Sequence, residues 1–188
     1  MKSIIETINE SINSDMINES AKNVVIAIHY HDPETAYIFT DVDEKNKKKI
    51  PRGFDWDLVR NPKNIIGFSY SDEGLKVYSI ADSESAMKND CLKAITNHIK
   101  TVDRDDDNWI ENFYPNMGGY YEWPNETYGE EKPEDIYKGV LDNIEQSYID
   151  GDSTLYGIID ISKQKPVVCG DINIEFVDDF DQWLSENE

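Results

Sequence analysis

Apolar residues spaced three and four positions apart predict helices in several parts of this chain. The segments run over residues 3–19, 82–102 and 133–150. In the second segment, Asp82 or Ser83 is suited to the N-cap, because a short polar side chain there can accept a hydrogen bond from an unpaired backbone amide. A shorter helix is predicted near residue 180, where Phe180 and Trp183 would attach it to the rest of the fold.

Short runs of β-branched and aromatic residues predict strands between these helices. The first two runs, NVVIAIHYH and AYIFTD, flank a turn signal at Asp32–Pro33 and predict a hairpin in which His29 faces Ile38. That register places a set of apolar residues on one face, which we expect to be core: Ile26, Ile28, Tyr30, Tyr37 and Phe39.

A second hairpin is predicted from IIGFSY and LKVYSI, with Gly74 in a turn position that requires a positive φ. Residues 43–63 separate the two hairpins, and we expect them to form a loop. Three more short strands are predicted from TLYGIIDIS, PVVCG and INIEF. Sequential hairpins with segregated helices predict an α+β fold. We expect a single domain over residues 1–188, with a mainly antiparallel sheet and helices packed on one side.

The net charge of −21 is distributed unevenly along the chain. Residues 1–104 carry 14 Lys and Arg against 17 Asp and Glu, whereas residues 105–188 carry 4 against 22, a net charge of −18. A negative field of this size repels nucleic-acid phosphates and anionic membranes and attracts basic surfaces. The charge therefore argues against nucleic acid and membranes as partners, and for a basic protein.

Residues 103–131, here called the acidic aromatic stretch, combine nine carboxylates and seven aromatic residues with a single base, Arg104. We expect a long loop here. Tyr and Trp often anchor interfaces, and surrounding carboxylates would steer a basic partner towards them. The candidate partner-binding residues are Asp105, Asp106, Asp107, Trp109, Tyr120, Tyr121, Glu122, Trp123 and Tyr128. The alternative is that the aromatic side chains of this stretch pack on the domain's own sheet.

Two histidines and an aspartate form a candidate metal site. Residues i and i+2 of a strand point to the same face, so His29 and His31 can bind one metal ion, with Asp32 joining from the turn. The three resemble the start of the HxHxDH motif of metallo-β-lactamase-type hydrolases, but Pro33 and Glu34 stand where the Asp and the third His of that motif would follow. The resemblance implies a metal-dependent hydrolase; the alternative is a histidine pair satisfied by neighbours and solvent.

The sequence contains no complete catalytic motif, and nothing in it indicates a cofactor. Cys91 and Cys169 are far apart and outside any CxxC, which is typical of reduced thiols in a cytosolic protein. No apolar run approaches the ~20 residues needed to cross a bilayer. We therefore expect a non-enzymatic cytoplasmic protein that occludes a basic partner (a toxin, a nuclease or a DNA-binding protein), as immunity proteins and nucleic-acid mimics do. A structural or assembly component of a larger particle is a further alternative.

Overall fold

The computed structural model describes residues 23–40, 42, 45–101, 109–111, 120–122, 132–149 and 153–187, and the helix predicted over residues 3–19 lies outside them. The strands are β1 (Asn23–His29), β2 (Thr35–Thr40), β3 (Phe54–Arg60), β4 (Ile65–Ser71), β5 (Gly74–Ala81), β6 (Trp109–Glu111), β7 (Tyr120–Glu122), β8 (Leu155–Asp160), β9 (Lys165–Cys169) and β10 (Asn173–Val177). The α-helices are α1 (Glu84–Thr101), α2 (Pro133–Glu145) and α3 (Phe180–Asn187), and a short 3-10 helix covers Asn46–Lys49.

The described strands form two four-stranded sheets and one separate hairpin. Sheet 1 has the order β10-β2-β1-β3, sheet 2 has the order β5-β4-β8-β9, and β6 pairs with β7. All neighbouring strands are antiparallel except β10 and β2, which run parallel. The predicted α+β class with mainly antiparallel pairing is confirmed, while the assignment of residues 1–188 to one domain stays a prediction.

Three apolar cores join the elements into four layers. The central core lies between the sheets, where Ile26 and Ile38 of sheet 1 meet Phe68 and Ile159 of sheet 2. A second core packs the other face of sheet 2 against α1 and α2. A third packs the other face of sheet 1 against α3 through Trp183. Helices therefore cover the outer face of each sheet. The structure thus has two main sheets with helices on both outer sides, where a single sheet with helices on one side was expected. None of the described helices is long and apolar enough to cross a membrane.

The predicted register of the first hairpin is wrong. Ile38 pairs with Ile26 rather than with His29, and Ile28 pairs with Ala36. The predicted core residue Tyr30 lies beyond the end of β1 and is 49% exposed. The reason is that Val24–Ile28 is apolar at every position, so both faces of β1 are buried and alternation gives no information about register.

The prediction of a loop over residues 43–63 is wrong in part, because residues 54–60 form strand β3. It pairs along its whole length with β1. Its sequence, FDWDLVR, carries two aspartates that disfavour a strand by propensity alone. In the structure these carboxylates have partners in sheet 2: Asp57 accepts a hydrogen bond from the Val77 amide at 2.9 Å, and Asp55 accepts one from Tyr70.

Candidate functional site

The acidic aromatic stretch contains a short hairpin rather than an uninterrupted loop. β6 and β7 pair in the order Trp109 with Glu122, Ile110 with Tyr121, and Glu111 with Tyr120. Directly paired residues of an antiparallel ladder occupy the same face. The backbone therefore places Trp109, Glu111, Tyr120 and Glu122 at positions of one face, and aromatic and acidic positions alternate there. The candidate residues Asp105, Asp106, Asp107, Trp123 and Tyr128 lie outside the described residues.

Helix α2 contacts this hairpin and carries acidic side chains of its own. It contacts β7 on one side and α1, β8 and β9 on others. Pro133 begins the helix, as the sequence predicts, and Glu134 and Asp135 occupy its first turn. Carboxylates in that position are stabilised by the partial positive charge of the helix N-terminus. Both side chains are exposed, so the helix adds negative charge to the surface beside the hairpin.

Several lysines outside the acidic aromatic stretch pair with carboxylates of the sheets and helices. Lys49 lies 3.4 Å from Asp181, and Lys163 lies 3.0 Å from Glu84. The hydrogen bond and the charge of Lys163 hold the pKa of Glu84 below its ordinary value. These ion pairs are exposed and contribute little to stability. These lysines partly neutralise the acidic side chains of the sheets and helices, and so they change the distribution of charge.

The carboxylate of Asp160 is the one buried acidic side chain among the described residues, with a relative exposure of 2%. It accepts hydrogen bonds from the Ser162 amide at 3.0 Å, the Ser162 hydroxyl at 2.6 Å and the Lys163 amide at 3.1 Å. Lys163 Nζ also lies 2.9 Å from its second oxygen. Burial alone would raise the pKa of Asp160, but these hydrogen bonds outweigh it and hold the pKa below its ordinary value. The Asp160 carboxylate therefore anchors the turn that follows β8.

The structure gives the candidate metal site no support. His29 ends β1, and its ring contacts those of Phe54 and His31, with centroids 5.0 and 6.0 Å away. The Asp32 amide donates to the His29 carbonyl at 3.2 Å, which closes a tight turn. Within residues 23–187, where they are described, no three His, Cys, Asp or Glu side chains form a group that could hold a metal ion.

The two thiols are poor candidates for nucleophiles. Burial raises the pKa of Cys91 to about 12 and that of Cys169 to about 11. Both cysteines are free. Because the thiolate is the reactive form, such thiols are unreactive near neutral pH. Cys91 instead belongs to the apolar core beneath α1.

Sequence reasoning missed a groove between α2 and the edge strand β9. Its walls include Asp142 and Glu145 of α2 and Val167 and Val168 of β9. The only sequence signal was the spacing of three residues between the two acids, which places them on one side of a helix. Their position next to β9 depends on the packing of α2, which residue spacing does not report.

Comparisons with known proteins add no further constraint on the site. No protein-family model, curated protein or solved structure matches this chain.

Proposed function

We propose that this protein binds and occludes a basic protein partner, with the acidic aromatic stretch as the contact surface. The observation that carries the proposal is the composition of residues 103–131, in which nine carboxylates and seven aromatic residues accompany one base. Aromatic side chains supply large contact areas at the centre of an interface. Carboxylates around them accelerate the capture of a positively charged surface. The same combination of charge and rings serves immunity proteins and nucleic-acid mimics.

The described backbone is compatible with this proposal. The β6–β7 hairpin brings positions from two parts of the stretch, eleven residues apart at Trp109 and Tyr120, into one small sheet. An ordered hairpin lowers the conformational entropy that its residues would lose on binding. Helix α2, which contacts β7, carries two further acids in its first turn, Glu134 and Asp135. The hairpin and α2 together are the contact region that we propose.

No specific observation favours the two other hypotheses. A metal-dependent hydrolase would need a third ligand near His29 and His31, and the described residues supply no such group. A structural component of a larger particle would need an extensive interface of its own, for which the described residues give no evidence.

The test compares partner capture by the wild type and by two variants of the stretch. Tyr120→Ala/Tyr121→Ala removes two rings, and Asp105→Asn/Asp106→Asn/Asp107→Asn removes three charges. We expect the ring variant to retain a basic partner less well at every salt concentration. We expect the charge variant to lose affinity mainly at low salt, because exposed charges are screened over about 8 Å at physiological ionic strength. The captured partner's own activity should be inhibited by the wild type.

Matched controls separate the stretch from the overall charge and from exposed rings in general. Asp72→Asn/Asp82→Asn/Asp90→Asn removes the same number of charges from exposed positions elsewhere. Tyr30→Ala removes a ring that is 49% exposed beyond the end of β1. Both controls should bind the partner like the wild type. If the wild type retains no basic protein, or if all variants retain it equally, the proposed function is wrong.

A further inference from the structure

Among the described strands, one edge of sheet 2 has no further neighbour, and this edge borders α2. β9 is the end strand of the order β5-β4-β8-β9, and among the described strands β8 alone pairs with it. The outer backbone N–H and C=O groups of an end strand form a template for a further strand. Pro166, which has no N–H group, stands near the start of this edge, and Val167, Val168 and Cys169 continue it.

A groove of about 580 Å³ runs between this edge and α2. Its apolar lining comes from the helix, from β9 and from the start of β10, and all of these side chains are half-buried: Leu141, Val167, Val168, Ile172 and Ile174. A groove bounded lengthwise by a strand and a helix fits an extended chain better than a compact molecule. Strand addition at a sheet edge is a common mode of peptide recognition, in which side-chain pockets supply specificity.

The charged side chains of the groove favour a basic occupant. Asp142 and Glu145 stand on the same side of α2, and Lys138 is the one base among the described lining residues. Alternate side chains of an added strand point to opposite sides. A segment that alternates Lys or Arg with apolar residues can therefore place apolar side chains on the groove lining and bases near the two carboxylates.

We propose that an extended basic segment of the partner adds to β9 as a further strand and lies in the groove beside α2. The inference rests on the proposed function, because it takes the partner to be basic, and it adds the form of the segment and its place of binding. Because α2 contacts both β7 and β9, one helix borders the acidic aromatic stretch and the groove. A basic partner held by the stretch would present such a segment to the groove at high effective concentration.

The test uses the full chain and synthetic peptides. The probe is a capped seven-residue peptide in which Lys and Val alternate. Amide hydrogen exchange and chemical shifts of Val167, Val168 and Cys169 report its binding. We expect the probe to slow exchange at those of these amides that point away from β8, because only outward N–H groups can gain a hydrogen bond from the added strand. A peptide that alternates Glu and Val should leave them unchanged, and so should the Lys–Val peptide N-methylated at every residue, because it cannot donate backbone hydrogen bonds.

Variants of the protein test the charge argument. Asp142→Asn/Glu145→Gln keeps the size of both side chains and should weaken the Kd of the Lys–Val peptide about three- to tenfold, as expected for two partly exposed charge contacts. The matched control is Asp72→Asn/Asp90→Asn, which removes the same charge from exposed positions away from the groove. The control should keep the wild-type affinity within about twofold.

Three results would overturn the inference: no slowing at β9 with millimolar probe, equal binding of the Glu–Val or N-methylated peptide, or an unchanged Kd in Asp142→Asn/Glu145→Gln. If the Lys–Val peptide perturbs only residues 103–131, the groove is wrong as the binding place while the proposed function stands. If the peptide binds at β9 as expected but no basic protein is captured through the stretch, the proposed function fails separately.

Discussion

Replacing Gly157 with alanine is expected to destabilise the protein through one buried contact. Gly157 pairs directly with Phe68 across β8 and β4, and the ring of Phe68 lies over the glycine. A Cβ atom at Gly157 would overlap the Cζ and Cε1 atoms of the ring and lie 3.1 Å from Cε2. The ring cannot move aside, because Phe68 is fully buried in the core between the sheets.

The magnitude follows from two opposing effects. Overpacking a well-packed core costs about 1–3 kcal/mol, and an overlap with two ring atoms together with a tight contact to a third belongs at the upper end of that range. Gly157 does not require a positive φ, so alanine restricts the unfolded chain and returns about 0.4–1 kcal/mol. The net loss in the free energy of unfolding is therefore about 2 kcal/mol. Urea denaturation followed by circular dichroism measures it.

A double-mutant cycle tests the cause of the loss. Phe68→Leu removes the ring atoms that the new methyl group would meet, and we expect it to cost about 2 kcal/mol through lost burial. Independent effects would add to about 4 kcal/mol, whereas we expect only about 2 kcal/mol in Gly157→Ala/Phe68→Leu. As a control, Val25→Ala lies in the core beneath α3 and should be additive with Gly157→Ala. Additivity in the Phe68 cycle, or a Gly157→Ala variant more stable than the wild type, would show that contact with the Phe68 ring does not cause the loss.

Other predictions concern the buried residues of the outer layers. Trp183→Ala should lower the free energy of unfolding by about 3–5 kcal/mol, because the side chain is 4% exposed; calorimetry measures it, and a loss below about 1 kcal/mol would contradict the packing. Asp160→Asn should cost about 1–3 kcal/mol at pH 7 by weakening buried hydrogen bonds. Because the folded-state pKa of Asp160 is depressed, its contribution is present above its ordinary pKa of 3.8 and lost as pH falls through the folded value. Denaturation curves should therefore converge for wild type and variant below about pH 4, and a constant gap would contradict the linkage. Cys91 should resist thiol reagents in the native protein, since burial raises its pKa to about 12, and rapid native-state labelling would show that α1 opens.

The second hairpin and helix α1 are features that the sequence predicts correctly. The two strands of the second hairpin pair as predicted, and Gly74 has a φ of +91° at its turn. Ser83 caps α1, accepting a hydrogen bond from the Ala86 amide at 3.1 Å. Met87 and Cys91 form the predicted buried stripe of that helix. These features depend on spacing within one segment, and the sequence displays that spacing directly.

The candidate surface was predictable only in composition. The sequence shows that charge and rings concentrate in residues 103–131, but the pairing of β6 with β7 depends on contacts across an eight-residue connection. Tyr148, which the helical pattern places in the buried stripe of α2, is 54% exposed because the helix ends at Glu145. A pattern of apolar residues does not report where a helix stops when no capping residue marks the end.

Local patterns are sufficient to predict the α+β class, the buried stripes of α1 and α2, and the docking of α3 through Phe180 and Trp183. The register of β1, the strand character of β3 and the parallel addition of β10 to β2 depend instead on contacts between distant segments. The physical reason is that periodicity records which face of an element is buried. It does not record which neighbour buries that face, and at β1 both faces are buried, so even that record is lost.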